Sequence, residues 1–110
     1  MIGIVTLRER KVAEAARRSM AVAALRSVLA AYANEHGGRF LLYGSAARGT
    51  MKHDSDVDLL LDFPASIAAE AWNHAETECW DLGLEPDLMP YDWCSKAFLD
   101  HVAPDLSVLA

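Results

Sequence analysis

The chain has 110 residues, of which 53% are hydrophobic and 24% are charged, and its formal net charge is −6. This size and balance predict one globular domain with a modest core, and they exclude a disordered chain. The acidic balance also argues against a protein that grips nucleic acid through clustered Lys and Arg.

No apolar run approaches the roughly 20 residues of a membrane span. Residues 1–5 are apolar but lack the charged segment of a signal peptide. Cys79 and Cys94 fit no metal-binding spacing, and we predict that both are reduced. We therefore expect a cytoplasmic protein without a membrane anchor.

The charge is unevenly distributed along the chain. Residues 1–26 contain six basic and two acidic residues, a balance of +4, so the remainder carries −10. This pattern predicts a basic N-terminal arm on an acidic body. Such an arm is either a partner contact or the solvated face of a helix.

The first predicted element is a long helix. Thr6 and Glu9 have the spacing of a capping box, and Gly37-Gly38 stops the helix after about Glu35. Large apolar residues repeat at helical spacing only in its second half. We expect the Ala-rich first half to project, to break, or to pack against another chain.

A short strand over 40–43 then ends at Gly44-Ser45, where a short helix is predicted to start at Ser45. Free N–H groups and the hydroxyl at such a start suit phosphate oxygens, and Gly44 permits close approach. Arg48 lies one turn further on and offers a fork of donors to phosphate. Taken singly, Ser45 is more often an N-cap and Gly44 more often a turn residue than part of a phosphate site.

The second predicted strand, 57–63, carries two carboxylates at its entrance. Alternation places Asp56 and Asp58 on one face, whereas Val57, Leu59, Leu61 and Phe63 form the core face. Unscreened carboxylates so close together would repel, but hard cations such as Mg²⁺ favour their ionised forms. The pair is therefore predicted to bind metal, although a lone D-x-D also occurs as a solvated strand start.

The remaining elements are shorter. Pro64 is predicted to open a helix that Gly83 closes, and a third strand over 84–89 is expected at a sheet edge because prolines bound it. A last helix is predicted over 91–102 with Asp92 as its cap. The tail alternates apolar and polar residues, which permits a terminal strand.

The segment GSAARGTMKHDSDVDLLLDF resembles the signature of the DNA polymerase β-like nucleotidyltransferase superfamily, in particular its minimal nucleotidyltransferase (MNT) domains. The resemblance implies an α/β (α+β) fold with a small mixed sheet and helices packed on it. The chain is then one domain, 1–110, with a long N-terminal helix in 1–36 and a catalytic core in 40–110.

The resemblance also implies residue roles. Gly44 and Ser45 hold a nucleoside triphosphate, and Asp56 and Asp58 bind two Mg²⁺ ions. A third acidic residue on a neighbouring strand completes the site. Asp87 is the candidate for this position and Glu85 is the alternative.

The implied reaction moves a nucleoside monophosphate, AMP from ATP, onto a hydroxyl. MNT domains of this size resemble the antitoxins of HEPN/MNT pairs, which implies a tyrosine of a HEPN toxin as acceptor. Two alternatives stay open. One is an antitoxin that only occludes its partner, and the other is an enzyme that modifies a small molecule in a closed apolar pocket beside the carboxylates.

Overall fold

A four-stranded sheet forms the centre of the molecule. The structure is a computed structural model that describes residues 6–109 of the chain. The strands are β1 (Arg39–Tyr43), β2 (Val57–Asp62), β3 (Pro86–Pro90) and β4 (Ser107–Leu109), in the order β3-β2-β1-β4. β1 is antiparallel to both β2 and β4, whereas β2 and β3 are parallel. The predicted mixed sheet, the edge position of β3 and the terminal strand are confirmed.

The long helix α1 spans Leu7–His36, as its capping box predicts. The Thr6 hydroxyl accepts a hydrogen bond from the Glu9 amide at 3.1 Å, and Gly37 ends the helix at φ 74°. Every residue from 6 to 13 is exposed, whereas the second half packs on the sheet. Residues 6–13 therefore project from the body as continuous helix, whereas the helix from Arg17 onward contacts the body. The structure does not describe residues 1–5, on which the prediction about a signal peptide rests.

Two short helices follow β1 and β2. Helix α2 (Gly44–Arg48) leads directly out of β1, and helix α3 (Ala68–Asp81) packs its buried alanines and Cys79 against the sheet. The prediction that Pro64 opens α3 is wrong. Residues 64–67 form a turn in which the Ile67 amide donates to the Pro64 carbonyl at 3.0 Å.

The single helix predicted over 91–102 is also wrong. A 3-10 turn, Tyr91–Trp93, is separated from helix α4 (Lys96–Val102) by Cys94, whose extended backbone interrupts the helix. The cap of α4 is Ser95, whose hydroxyl accepts from the Phe98 amide at 3.1 Å, rather than Asp92. A second 3-10 turn, Ala103–Asp105, leads into β4.

Both faces of the sheet are covered. Helices α1 and α3 cover the predicted core face, but Leu41 and Leu60, paired on the other face, are also fully buried. On that face the Phe98 ring of α4 meets the Tyr43 ring edge-on at 5.7 Å. The carboxylate-bearing face is therefore polar at the two ends of β2 and apolar between them. Within residues 6–109, no helix is long and apolar enough to cross a membrane.

Candidate active site

The sheet register aligns three polar side chains across neighbouring strands. Tyr43 at the end of β1 is opposite Asp58 in β2, and Asp58 is opposite Asp87 in β3. Residues that pair across strands lie on the same face, with strands about 4.8 Å apart. Asp58 therefore lies between a phenol and a second carboxylate.

Asp58 is the electrostatic centre of this row. Burial raises the pKa of Asp58 to about 6, and the charge of Asp87, a hydrogen bond with Asp87 and the charge of Asp56 add to the effect. Arg48 acts in the opposite direction. At neutral pH the row thus concentrates negative charge that a bound cation would neutralise.

Gly44 brings the predicted phosphate turn against the same carboxylate. Its φ is 70°, and a Cβ added there would overlap Oδ2 of Asp58, far inside the 3.0 Å that real Cβ contacts keep. Only glycine combines this backbone conformation with such close approach. The turn and the carboxylates therefore share one crevice, as the metal–triphosphate interpretation requires.

Ser45 and Arg48 are close to this crevice but are occupied by protein contacts. Helix α2 begins at Gly44, one residue earlier than predicted, and the Ser45 hydroxyl lies 3.5 Å from the Met51 sulfur. Arg48 donates to Asp105 at 2.8 Å. Both side chains must rotate before they can meet a phosphate, whereas the backbone N–H groups of the first turn have no helical partner.

Glu85, the alternative third carboxylate, is bound elsewhere. Its carboxylate pairs with Arg18 of α1, and this hydrogen bond lowers the pKa of Glu85. Asp87, in contrast, is exposed and lies directly opposite Asp58 in the register of β2 and β3. Geometry therefore favours Asp87 over Glu85 as the carboxylate beside Asp58.

Sequence reasoning missed Tyr43. Burial and the nearby charges of Asp58 and Asp87 raise the pKa of its phenol to about 12, so the phenol stays protonated and is able to donate a hydrogen bond. The available signal was its position as the last strand residue before Gly44. Pairing of the two strands in register then places it opposite Asp58.

The acidic residues fit a cation only in part. Among residues 6–109, no group of three or more His, Cys, Asp or Glu side chains is arranged to hold a metal ion. Asp58 and Asp87 do converge, and their shared excess charge and carboxylate oxygens match a hard divalent cation. Asp56 lies at the exposed entrance of β2 and influences Asp58 only through its charge. Asp87, which is paired with Asp58 in β3, thus joins Asp56 and Asp58 at the same end of the sheet.

Comparison with known proteins now bears on this geometry. The family model described as a nucleotidyltransferase domain matches residues 25–101, which is most of the chain and includes every predicted site residue. The chain belongs to the nucleotidyltransferase domain family. Nucleotidyl transfer is thus the general activity that its family supports.

A solved structure of a protein assigned as a minimal nucleotidyltransferase has the same fold as this nucleotidyltransferase domain. The two chains are 22% identical, and the TM-score is 0.64 over 81% of this chain and 93% of the other. The predicted fold class and the resemblance to MNT domains are confirmed. No curated protein matches the chain. The family match begins at residue 25, so the projecting residues 6–13 of the N-terminal segment lie outside it.

Proposed function

We propose that this domain transfers AMP from ATP to a tyrosine hydroxyl of a HEPN-type helical partner and thereby acts as its antitoxin. The observation that carries the transferase part is that Gly44 lies against the Asp58 carboxylate and Asp87 is paired with Asp58 across β2 and β3. The proposal treats residues 1–110 as one domain with its catalytic core in 40–110.

In this proposal each residue has a distinct role. The Gly44 and Ser45 amides bind the triphosphate, and Asp56, Asp58 and Asp87 hold two Mg²⁺ ions. Bound Mg²⁺ would supply positive charge to the triphosphate and lower the pKa of the acceptor hydroxyl. Asp58 is held between Gly44 and Asp87, so it orients the nucleotide relative to the acceptor.

The reaction forms a bond between the acceptor oxygen and the α-phosphorus. The bond from that phosphorus to the bridging oxygen breaks, and pyrophosphate leaves. Asp87 is exposed beside Asp58 and accepts the proton of the acceptor hydroxyl. Arg48 offsets charge on pyrophosphate once it releases Asp105, so most of the rate comes from positioning and electrostatics.

The partner assignment draws on the resemblance to antitoxin-type MNT domains and on the accessibility of the site. Asp56 and Asp87 are both exposed, which allows a side chain of a folded protein to approach them. The projecting turns of α1, residues 6–13, carry Arg8, Arg10 and Lys11 and offer a basic surface to that protein.

No specific observation favours the other two functions. An occluding antitoxin with a vestigial site would tolerate separated carboxylates, but Asp58 and Asp87 are directly paired across β2 and β3. A small-molecule enzyme needs an apolar pocket beside them. The apolar cavity of about 350 Å³ instead lies three residues further along both strands, where Leu61 and Pro90 line it.

The test is incubation of the full chain with α-labelled ATP, Mg²⁺ and the co-purified helical partner. We expect label on the partner, and a loss of at least about 1,000-fold with Asp58→Asn because the central carboxylate is removed. Asp62→Asn is the matched control. Asp62 lies on the same face of β2 but pairs with Arg39 at 2.7 Å. A tight complex that acquires no label from any of the four nucleoside triphosphates would refute the transferase proposal and leave occlusion.

A further inference from the structure

Arg18 is a buried charge in a position that helical periodicity assigns to the core. It is only 8% exposed, and it is the one buried charged or polar residue found among residues 6–109. It lies one turn before Val22 on the stripe through which α1 packs on the sheet. Such a charge must be paired and hydrogen bonded to be tolerated.

The Arg18 guanidinium binds two separate segments at once. Nη1 donates to the Ser55 carbonyl at 2.8 Å and to Oε2 of Glu85, and Nη2 donates to Oε1 of Glu85 at 3.2 Å. Nε lies 3.6 Å from Glu14 of the same helix. This fork uses the planar geometry that distinguishes Arg from Lys.

Both segments lead into strands that carry the carboxylates. Ser55 immediately precedes Asp56, and Glu85 comes two residues before Asp87. The Glu85 carbonyl also accepts from the Val57 amide at 2.9 Å, which joins the two strand entrances directly. Arg18 therefore closes a bridge from α1 across the beginnings of β2 and β3.

We infer that Arg18 is a positioning residue that holds the entrances of β2 and β3 together and so sets the approach of Asp87 to Asp58. The catalytic consequence, though not the structural one, rests on the proposed function. The matched family segment begins at residue 25, so this support comes from outside that segment.

The bridge is needed because β3 is held weakly. It is an edge strand that pairs only with β2, and Pro86 and Pro90 at its ends have no N–H to donate. Repulsion between Asp58 and Asp87 tends to separate the two strands at the same place. A guanidinium bound to both entrances opposes that separation.

Arg17 provides a matched control on the neighbouring position of α1. It also donates two hydrogen bonds at long sequence distance, to the Leu82 and Gly83 carbonyls at 2.9 and 2.7 Å, and it also meets Glu14. These contacts cap the end of α3 and touch neither strand entrance. Arg17→Met and Arg18→Met therefore remove similar interactions from different places.

The experiment measures amide hydrogen exchange and steady-state transfer kinetics for both variants at a temperature where each is fully folded. In Arg18→Met we expect the Val57 amide to exchange at least tenfold faster. We also expect kcat to fall about 10- to 100-fold, as a displacement near 1 Å produces, with KM for the nucleotide within threefold. In Arg17→Met the exchange rate of the Val57 amide and kcat should both stay within about twofold of the unaltered chain. Arg18→Lys should recover part of the kcat lost in Arg18→Met.

The exchange and kinetic measurements distinguish failure of the proposed function from failure of the positioning role. If the unaltered chain transfers no nucleotide, the proposed function fails, and the exchange of Val57 alone decides the positioning role. Equal exchange of Val57 in the Arg17 and Arg18 variants would overturn the inference. An equal fall of kcat in both variants, in proportion to their lost stability, would also overturn the inference, because it would show that Arg18 has only a structural role.

Discussion

The contact between Gly44 and Asp58 leads to the sharpest prediction. In Gly44→Ala the new Cβ overlaps Oδ2 of Asp58, and the alanine must also adopt a φ near 70°. The carboxylate can relieve the overlap only by moving away from the turn. We therefore expect the substitution to damage the site more than it damages the fold.

The two costs can be separated because Gly49 has the same strain without the contact. Its φ is 74°, it ends helix α2, and an added Cβ would meet no atom within 4 Å. Left-handed backbone costs alanine about 1–2 kcal/mol, which corresponds to a Tm decrease of very roughly 4–16 °C in a domain of this size. Gly49→Ala should lose this amount and keep its activity. Gly44→Ala should lose a similar amount of stability, because movement of the Asp58 carboxylate relieves the overlap, and its additional effect should fall on activity.

The assays are thermal unfolding and nucleotidyl transfer on the same preparations. A carboxylate displaced by about 1 Å should cost Gly44→Ala roughly 100-fold in kcat, against less than threefold for Gly49→Ala. Equal transfer rates in the two variants, after correction for the folded fraction, would refute the reasoning that the turn and Asp58 act as one unit.

Three further predictions follow from individual side chains. Because the pKa of Asp58 is raised to about 6 from 3.8, its ionisation reduces stability as pH rises through about 4 to 6. Asp58→Asn should therefore raise the free energy of unfolding at pH 7 by an amount on the order of 1 kcal/mol after solvent screening. A melting series should show this as a higher Tm at pH 7 and no gain at pH 3.5. Asp105→Asn should free Arg48 and lower KM for the nucleotide about two- to threefold in transfer assays, with little change in Tm because the pair is partly exposed. Burial raises the pKa of Cys79 to about 12, so iodoacetamide should label only Cys94 in the native chain by mass spectrometry, and modification of both thiols would contradict this.

The parts of the fold that sequence predicted well have local causes. The Thr6 cap and the stop at Gly37 each arise from a few neighbouring residues, and both occur in the structure. The alternation along β2 holds at Asp58 and Asp62 but not at Leu60, which is buried on the carboxylate-bearing face. The interruption of the last helix could not be predicted from the sequence, because Asp92 and Ser95 are both acceptable N-caps. Tertiary packing at the end of the sheet decides between them.

The site residues divide in the same way into those with local sequence signals and those that depend on tertiary structure. The Gly44-Ser45 turn and the D-x-D entrance were readable because their spacing is local. That Asp87 lies opposite Asp58 depends on the register of two strands more than 20 residues apart. Arg18 was hidden for a different reason, since a charged residue on an Ala-rich helix suggests a solvated face until its partners are known.

These long-range features have a common physical origin. A half-buried carboxylate beside a second one is unfavourable without a cation, so the chain must prevent β2 and β3 from relaxing apart. The backbone ladder alone is a weak restraint at an edge strand bounded by prolines. The bridge from Arg18 and the contact of Gly44 with Asp58 constrain the carboxylates from two directions. The charge repulsion retained at this point is the interaction that a bound divalent cation would relieve, so the same geometry that reduces stability favours ligand binding.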